Sequence, residues 1–284
     1  MLRKTLKYDL NAIWKIWLIL TVTVLGLSVL CGLGVRDIMV SIGNDEPNPF
    51  MFFSIAVVII TVFTVSAYLL IIELLVLFRY YQNFFTDEAY LTFTLPVKRS
   101  TLFNSKLINA FIWSLANYGV LFICIFIILL IAPSNIDGSG CAFISIFKSI
   151  FKLIGEMFEF FNGWAFIYGL LIIVIALLAT VFSTLLIYGC ITFGCTMVKK
   201  YKLLMAILVY YLVNVGMSVI SYIANLVFAT AFGTSYNILS LYSDAQISVM
   251  ILFTLIAAVM FFATLCILTY KLTLGRIERN LNLA

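Results

Sequence analysis

Six long, mostly apolar runs separated by short polar stretches dominate the sequence. They are Ile16 to Val35, Phe50 to Phe78, Leu107 to Ala132, Trp164 to Phe193, Leu203 to Thr230 and Ile247 to Tyr270. A hydrocarbon core about 30 Å thick takes about 20 residues of α-helix to cross, so each run is long enough. In lipid every backbone N–H and C=O must be bonded internally, and for continuous apolar runs only the helix achieves this. The expected fold class is therefore all-α, a polytopic membrane protein with six transmembrane helices. The second run, at 29 residues, would reach about 43 Å and must tilt or protrude.

The composition agrees. Of 284 residues, 64% are hydrophobic and only 10% charged, and the mean hydropathy of +1.18 lies far outside the mix of soluble domains. Histidine is absent, which removes the commonest general base, zinc ligand and proton relay. The six cysteines, Cys31, Cys124, Cys141, Cys190, Cys195 and Cys266, show no CxxC pair and no metal-like spacing, and read as small hydrophobes. No Gly-x-x-x-x-Gly-Lys-Ser/Thr loop is present to cradle a nucleotide. An enzyme acting within the membrane would need a positioned base or a metal cluster, and the spans offer neither.

Orientation follows from the basic residues between the runs, because Lys and Arg resist translocation. Fourteen of the 17 fall on one side: Arg3, Lys4, Lys7, Lys15, Arg79, Lys98, Arg99, Lys106, Lys199, Lys200, Lys202, Lys271, Arg276 and Arg279. Arg36, Lys148 and Lys152 fall on the other. This places both termini in the cytoplasm and the protein in the plasma membrane. The net charge of +5 is thus a matter of topology, and no nucleic-acid partner is implied. Lys199, Lys200 and Lys202 read as an anchor near anionic lipid.

Residues 1–15 place Leu2, Leu6, Leu10 and Ile13 on one stripe and Arg3, Lys4, Lys7 and Asp9 elsewhere, the pattern of an interfacial helix that lies on the membrane before turning in. A signal peptide is the rival reading, but no small-residue cleavage site follows. In the outward loop 133–163, Phe143, Ile146, Phe147, Ile150, Phe151, Ile154, Met157, Phe158 and Phe161 recur at helical spacing. Lys148, Lys152, Glu156 and Glu159 take the opposite face, so a second amphipathic helix is expected there.

The most informative stretch is the inward connection 79–106. Thr86 before Asp87 and Glu88 has the form of an N-cap with acids in the first turn, and Pro96 disfavours helix at Leu95. Ser100 offers a fresh cap for the next span. Tyr80, Tyr81, Phe84, Phe85, Tyr90 and Phe93 make the loop unusually aromatic, as docking surfaces are. The alternative is an interfacial helix whose aromatics anchor at headgroup depth.

The run Asp87-Glu88-Ala89-Tyr90-Leu91-Thr92-Phe93-Thr94-Leu95-Pro96-Val97, followed by Lys98, Arg99, Ser100 and Lys106, resembles the membrane subunits of ATP-binding-cassette (ABC) exporters. The likeness is to the six-helix, type-two export class of Gram-positive bacteria. It extends in outline to the basic amphipathic start and the six-span layout. It implies one permease domain over residues 1–284, with Thr86 to Leu95 as a coupling helix seated in a separate ATPase subunit. Thr86, Asp87, Glu88, Tyr90, Leu91, Phe93, Leu95 and Pro96 would form that contact. It further implies a pair of ATPase subunits holding ATP and Mg2+, a second copy of this chain or a related permease, and surrounding membrane lipids. This chain would bind no cofactor and catalyse nothing, and the cargo would be amphipathic, peptide-like or lipid-like.

Glu73 is the carboxylate within an apolar run, expected to reach headgroups or pair with Arg79. Asn109, Asn117, Asn214 and Asn225 sit in spans where amides seek partners, as helix glue or as a path; Asn117 and Asn214 join Glu73 as candidate intramembrane polar sites. A secondary transporter would need midplane ionisable groups or broken helices, and a non-transporting membrane scaffold would need neither.

Overall fold

The computed structural model describes residues 2–43, 50–86, 88–89, 97–132, 142–160, 164–198, 200–233 and 244–280. Seven long helices are found among them: α1 (Leu2–Gly43), α2 (Met51–Phe85), α3 (Arg99–Ile131), α4 (Ala142–Phe160), α5 (Ala165–Met197), α6 (Lys202–Gly233) and α7 (Asp244–Asn280). Six of them, all but α4, are long and apolar enough to cross a membrane, and the described residues contain no strand. The protein is an all-α, multi-pass membrane protein.

The chain divides into two compact units, Met1–Phe78 with Ile108–Glu156, and Arg79–Leu107 with Met157–Ala284. In the first, Val24, Tyr68, Ile72, Val120 and Cys124 form the core, with Trp17, Leu20, Leu25, Val65, Leu69 and Leu75 packed on it. A polar ladder crosses this apolar packing. Asn117 Oδ1 accepts from Trp17 Nε1 at 3.2 Å and from Tyr68 Oη at 3.0 Å. With its proton given to Asn117, Tyr68 accepts from Thr21 Oγ1 at 3.3 Å. Interhelical bonds of this kind hold helices together where the hydrophobic effect cannot, since lipid is as apolar as the side chains. Small residues bring the helices close, for a Cβ on Gly32 would stand 2.9 Å from Ile131 Cβ. Ser54 Oγ donates to Asp37 Oδ2 at 2.7 Å.

Helix α4 is the expected amphipathic helix. Phe143 packs edge-on against Phe126 of α3 at 5.0 Å between centroids, and Lys152 lies 3.8 Å from Glu156 one turn on.

In the second unit α5 packs against both α6 and α7. Val198, in extended conformation, ends α5, and Tyr201 enters the left-handed region at φ 58°. Its carbonyl then accepts from Met205 N at 3.1 Å to open α6. So short a reversal forces the two backbones together at Gly194, where a Cβ would lie 2.6 Å from Ala206 N.

Three boundaries differ from the sequence reading. The interfacial helix does not turn before the first span: α1 runs unbroken from Leu2 to Gly43. Neither Gly nor Pro interrupts residues 2–20, and Leu6, Leu10, Ile13, Trp17, Leu20 and Val24 continue one stripe at spacings of three and four. Asp9, expected on the polar face, is buried one turn before Ile13. The second span does not end at Phe78 but at Phe85, because Val76, Tyr80 and Phe84 are buried at successive spacings of four. The third span starts at Arg99, where Thr101 N and Leu102 N bond Lys98 O; the cap position is Lys98, and Ser100 lies within the first turn. The connection between the second and third spans therefore contracts from 79–106 to 86–98.

Candidate functional site

Both stems of that connection belong to the second unit, so the chemistry of this region can be built from its side chains. Tyr80 is fully buried. Its ring stacks on Tyr188 of α5, with centroids 4.0 Å apart and planes 11° from parallel. Phe84, Phe85 and Phe103 surround it at 5.0, 6.1 and 6.3 Å. Thr192 Oγ1 gives its proton to Tyr188 O at 2.7 Å, so Tyr80 Oη is the donor in its 2.7 Å bond to Thr192 Oγ1. Tyr188 Oη in turn donates to Lys106 O at 3.4 Å, and Tyr270 Oη of α7 donates to Asn104 Oδ1 at 2.8 Å.

Cations close both ends. Helix termini leave their last four carbonyls without intrahelical partners. Lys202 Nζ, at the start of α6, donates to Phe85 O at the end of α2, 3.3 Å away. Arg99 Nη1 donates to Ile277 O and Glu278 O near the end of α7, each at 3.1 Å. Cations at helix C-termini also oppose the negative end of the dipole.

The aromatic loop expected from sequence thus splits in two. Tyr80, Phe84 and Phe85 are core, not docking surface, because the extra two turns of α2 carry them against α5. Tyr81 is half-buried. Thr86 follows the last residue of α2, and its hydroxyl turns back to Gln82 O at 2.6 Å instead of serving only the next helix. Its carbonyl accepts from Ala89 N at 2.9 Å. Glu88 is exposed and Ala89 buried. Asp87, Tyr90, Leu91, Phe93, Leu95 and Pro96 lie outside the described residues.

The candidate intramembrane polar residues go separate ways. Asn117 anchors the ladder of the first unit. Asn214 is exposed and donates to Tyr210 O of its own helix at 2.9 Å, and among the described residues it bonds no neighbouring helix. Asn109 is buried with Oδ1 unpartnered among the described residues, and the side chain of Asn225 lies outside them. Glu73 is exposed on α2 and does not pair with Arg79. Six residues rotate a helix by about 240°, so the two point to different sides. With α2 extending to Phe85, Glu73 stands about 18 Å from its end, not within reach of it.

Sequence reasoning missed Tyr188, Thr192, Asn104, Tyr270 and the capping role of Lys202. Their partners are 82 to 166 residues away or, for Lys202, 117. The signal available was the pair Tyr188 and Thr192, one turn apart in an otherwise apolar run. Among the described residues no group of three His, Cys, Asp or Glu side chains could hold a metal.

Compared with protein-family models, with curated proteins and with solved structures, the chain matches none.

Proposed function

We propose that this chain is the membrane subunit of an ATP-driven exporter of the ABC type. It moves an amphipathic, peptide-like or lipid-like cargo across the plasma membrane, with both termini and residues 86–98 on the cytoplasmic face. ATP and Mg2+ are handled by separate nucleotide-binding subunits, and the working assembly pairs this chain with a second copy or a related permease.

The observation that carries this reading is the anchoring of the inward connection at both stems. A lever must be stiffly attached to what it moves. Tyr80, Phe84 and Phe85 are packed into the second unit, Lys202 holds the end of α2, and Arg99 holds the end of α7. Displacement of the stems at Phe85 and Arg99 is therefore transmitted to α5, α6 and α7. A secondary transporter gains no support, since among the described residues Glu73 and Asn214 share no site with a partner side chain.

The test combines copurification with transport. The tagged chain is expected to bring down a nucleotide-binding subunit, and Tyr90→Ala with Phe93→Ala is expected to abolish both capture and ATP-dependent export at unchanged membrane levels. A cysteine at Lys98 labelled only from outside the cell, or full transport by the double variant, would overturn the proposal.

A further inference from the structure

Phe193 of α5 and Lys271, Leu272, Gly275, Arg276 and Arg279 of α7 line a cleft of about 370 Å3 within the second unit. Leu272, Gly275, Arg276 and Arg279 recur at three- and four-residue spacing and share one face of α7. The guanidinium of Arg276 lies over the Phe193 ring, its Cζ 5.0 Å from the centroid. Lys271 and Arg279 are exposed, and among the described residues none of the three is ion-paired. A Cβ on Gly275 would meet nothing within 4 Å, so the glycine faces open space within the cleft.

We infer that this cleft binds a phosphate group, presented by an anionic phospholipid headgroup. Three positive charges converge on one concavity whose lining, among the described residues, includes no carboxylate, and they repel one another until an anion sits among them. Its position over the Phe193 ring holds the Arg276 guanidinium in the cleft, and a guanidinium can give two parallel bonds to phosphate oxygens. Helix C-termini ordinarily disfavour anions, but Arg99 already occupies the Ile277 and Glu278 carbonyls. Lys271 directly follows the apolar run that ends at Tyr270, which sets the cleft at headgroup depth. Phe193 and Leu272 supply an apolar wall for the glycerol and upper acyl chain. The site does not depend on the exporter reading.

A basic membrane face attracts anionic lipid generally, so the experiment must separate a shaped site from diffuse charge. Gly275→Leu does so, because it fills the cleft and keeps every cation. The full chain is placed in phosphatidylcholine nanodiscs, and binding of added phosphatidylglycerol is measured by native mass spectrometry. Wild type is expected to bind it saturably. Gly275→Leu, by blocking access, and Arg276→Gln, by the loss of one charge-assisted contact, are each expected to bind about tenfold more weakly, with Arg276→Lys intermediate. Should Gly275→Leu not fold, Leu272→Trp at an exposed lining position narrows the cleft with every cation kept and gives the same reading. Displacement by inorganic phosphate assigns the site to phosphate from solution, against the headgroup assignment; lipid binding without displacement supports the headgroup. Equal binding by wild type and Gly275→Leu, or no saturable binding by wild type, overturns the inference.

Discussion

The ring of Tyr80 lies flat on that of Tyr188, 4.0 Å between centroids, while its hydroxyl donates to Thr192 one turn further along the same helix. One side chain at the end of α2 therefore engages α5 through both stacking and a hydrogen bond. The two contributions can be separated. Tyr80→Phe removes only the hydroxyl and leaves Thr192 bonded to Tyr188 O, an expected cost of about 1 kcal/mol. Tyr80→Ala opens a void in a closed aromatic cluster and is expected to cost about 3 kcal/mol or more. Unfolding by detergent titration in mixed micelles measures both; equal losses would show that the ring does not pack as described.

The cations at the loop stems carry a functional prediction. Lys202→Met leaves Phe85 O without its donor, and Arg99→Gln loses the charge on two carbonyls of α7. On the exporter reading, each lowers transport per ATP hydrolysed while the ATPase subunit still copurifies. Unchanged coupling in both variants would mean that the stems do not transmit motion.

Gly194 faces Ala206 with no room for a methyl group. Gly194→Ala is expected to destabilise by about 1 to 3 kcal/mol, since backbone and not a flexible side chain blocks the space. Gly216→Ala on α6 is the control, as its Cβ would meet nothing within 4 Å; with Ala the better helix former, it should be neutral or stabilising. Thermal unfolding of the two variants side by side decides the matter.

Asn117 joins three helices through one carbonyl oxygen. Asn117→Leu leaves Trp17 Nε1 and Tyr68 Oη without that acceptor in an apolar setting, an expected loss of about 1 to 2 kcal/mol. If the residue is glue and not part of a cargo path, transport per folded molecule stays at the wild-type level. Normal stability with lost transport would point the other way.

Tyr201 is held at φ 58° with its side chain 80% exposed. Left-handed backbone costs an L-residue about 1 kcal/mol or more, and little side-chain contact is lost on truncation. Tyr201→Gly is expected to stabilise the α5–α6 reversal by several tenths of a kcal/mol, and Tyr201→Ile to weaken it, both read by unfolding midpoint.

The sequence by itself determined the solvent, the number of spans and the amphipathic character of α4. These rest on the apolar content and period of contiguous residues, and lipid enforces both through the cost of an unsatisfied backbone. It also singled out the stretch from Thr86 to Pro96, through composition and proline chemistry. Only the tertiary structure decided that α1 and α2 overrun their apolar limits, because Tyr80 and Phe84 read as loop aromatics until Tyr188 and Thr192, more than 100 residues on, provide a place to bury them. Tertiary packing likewise separated Asn117 from Asn214, two similar amides in two similar spans: one meets donors on neighbouring helices, the other, among the described residues, only its own backbone. A hydrogen bond between distant helices leaves no trace in local periodicity, and the space that makes Gly194 irreplaceable exists only once two backbones have met.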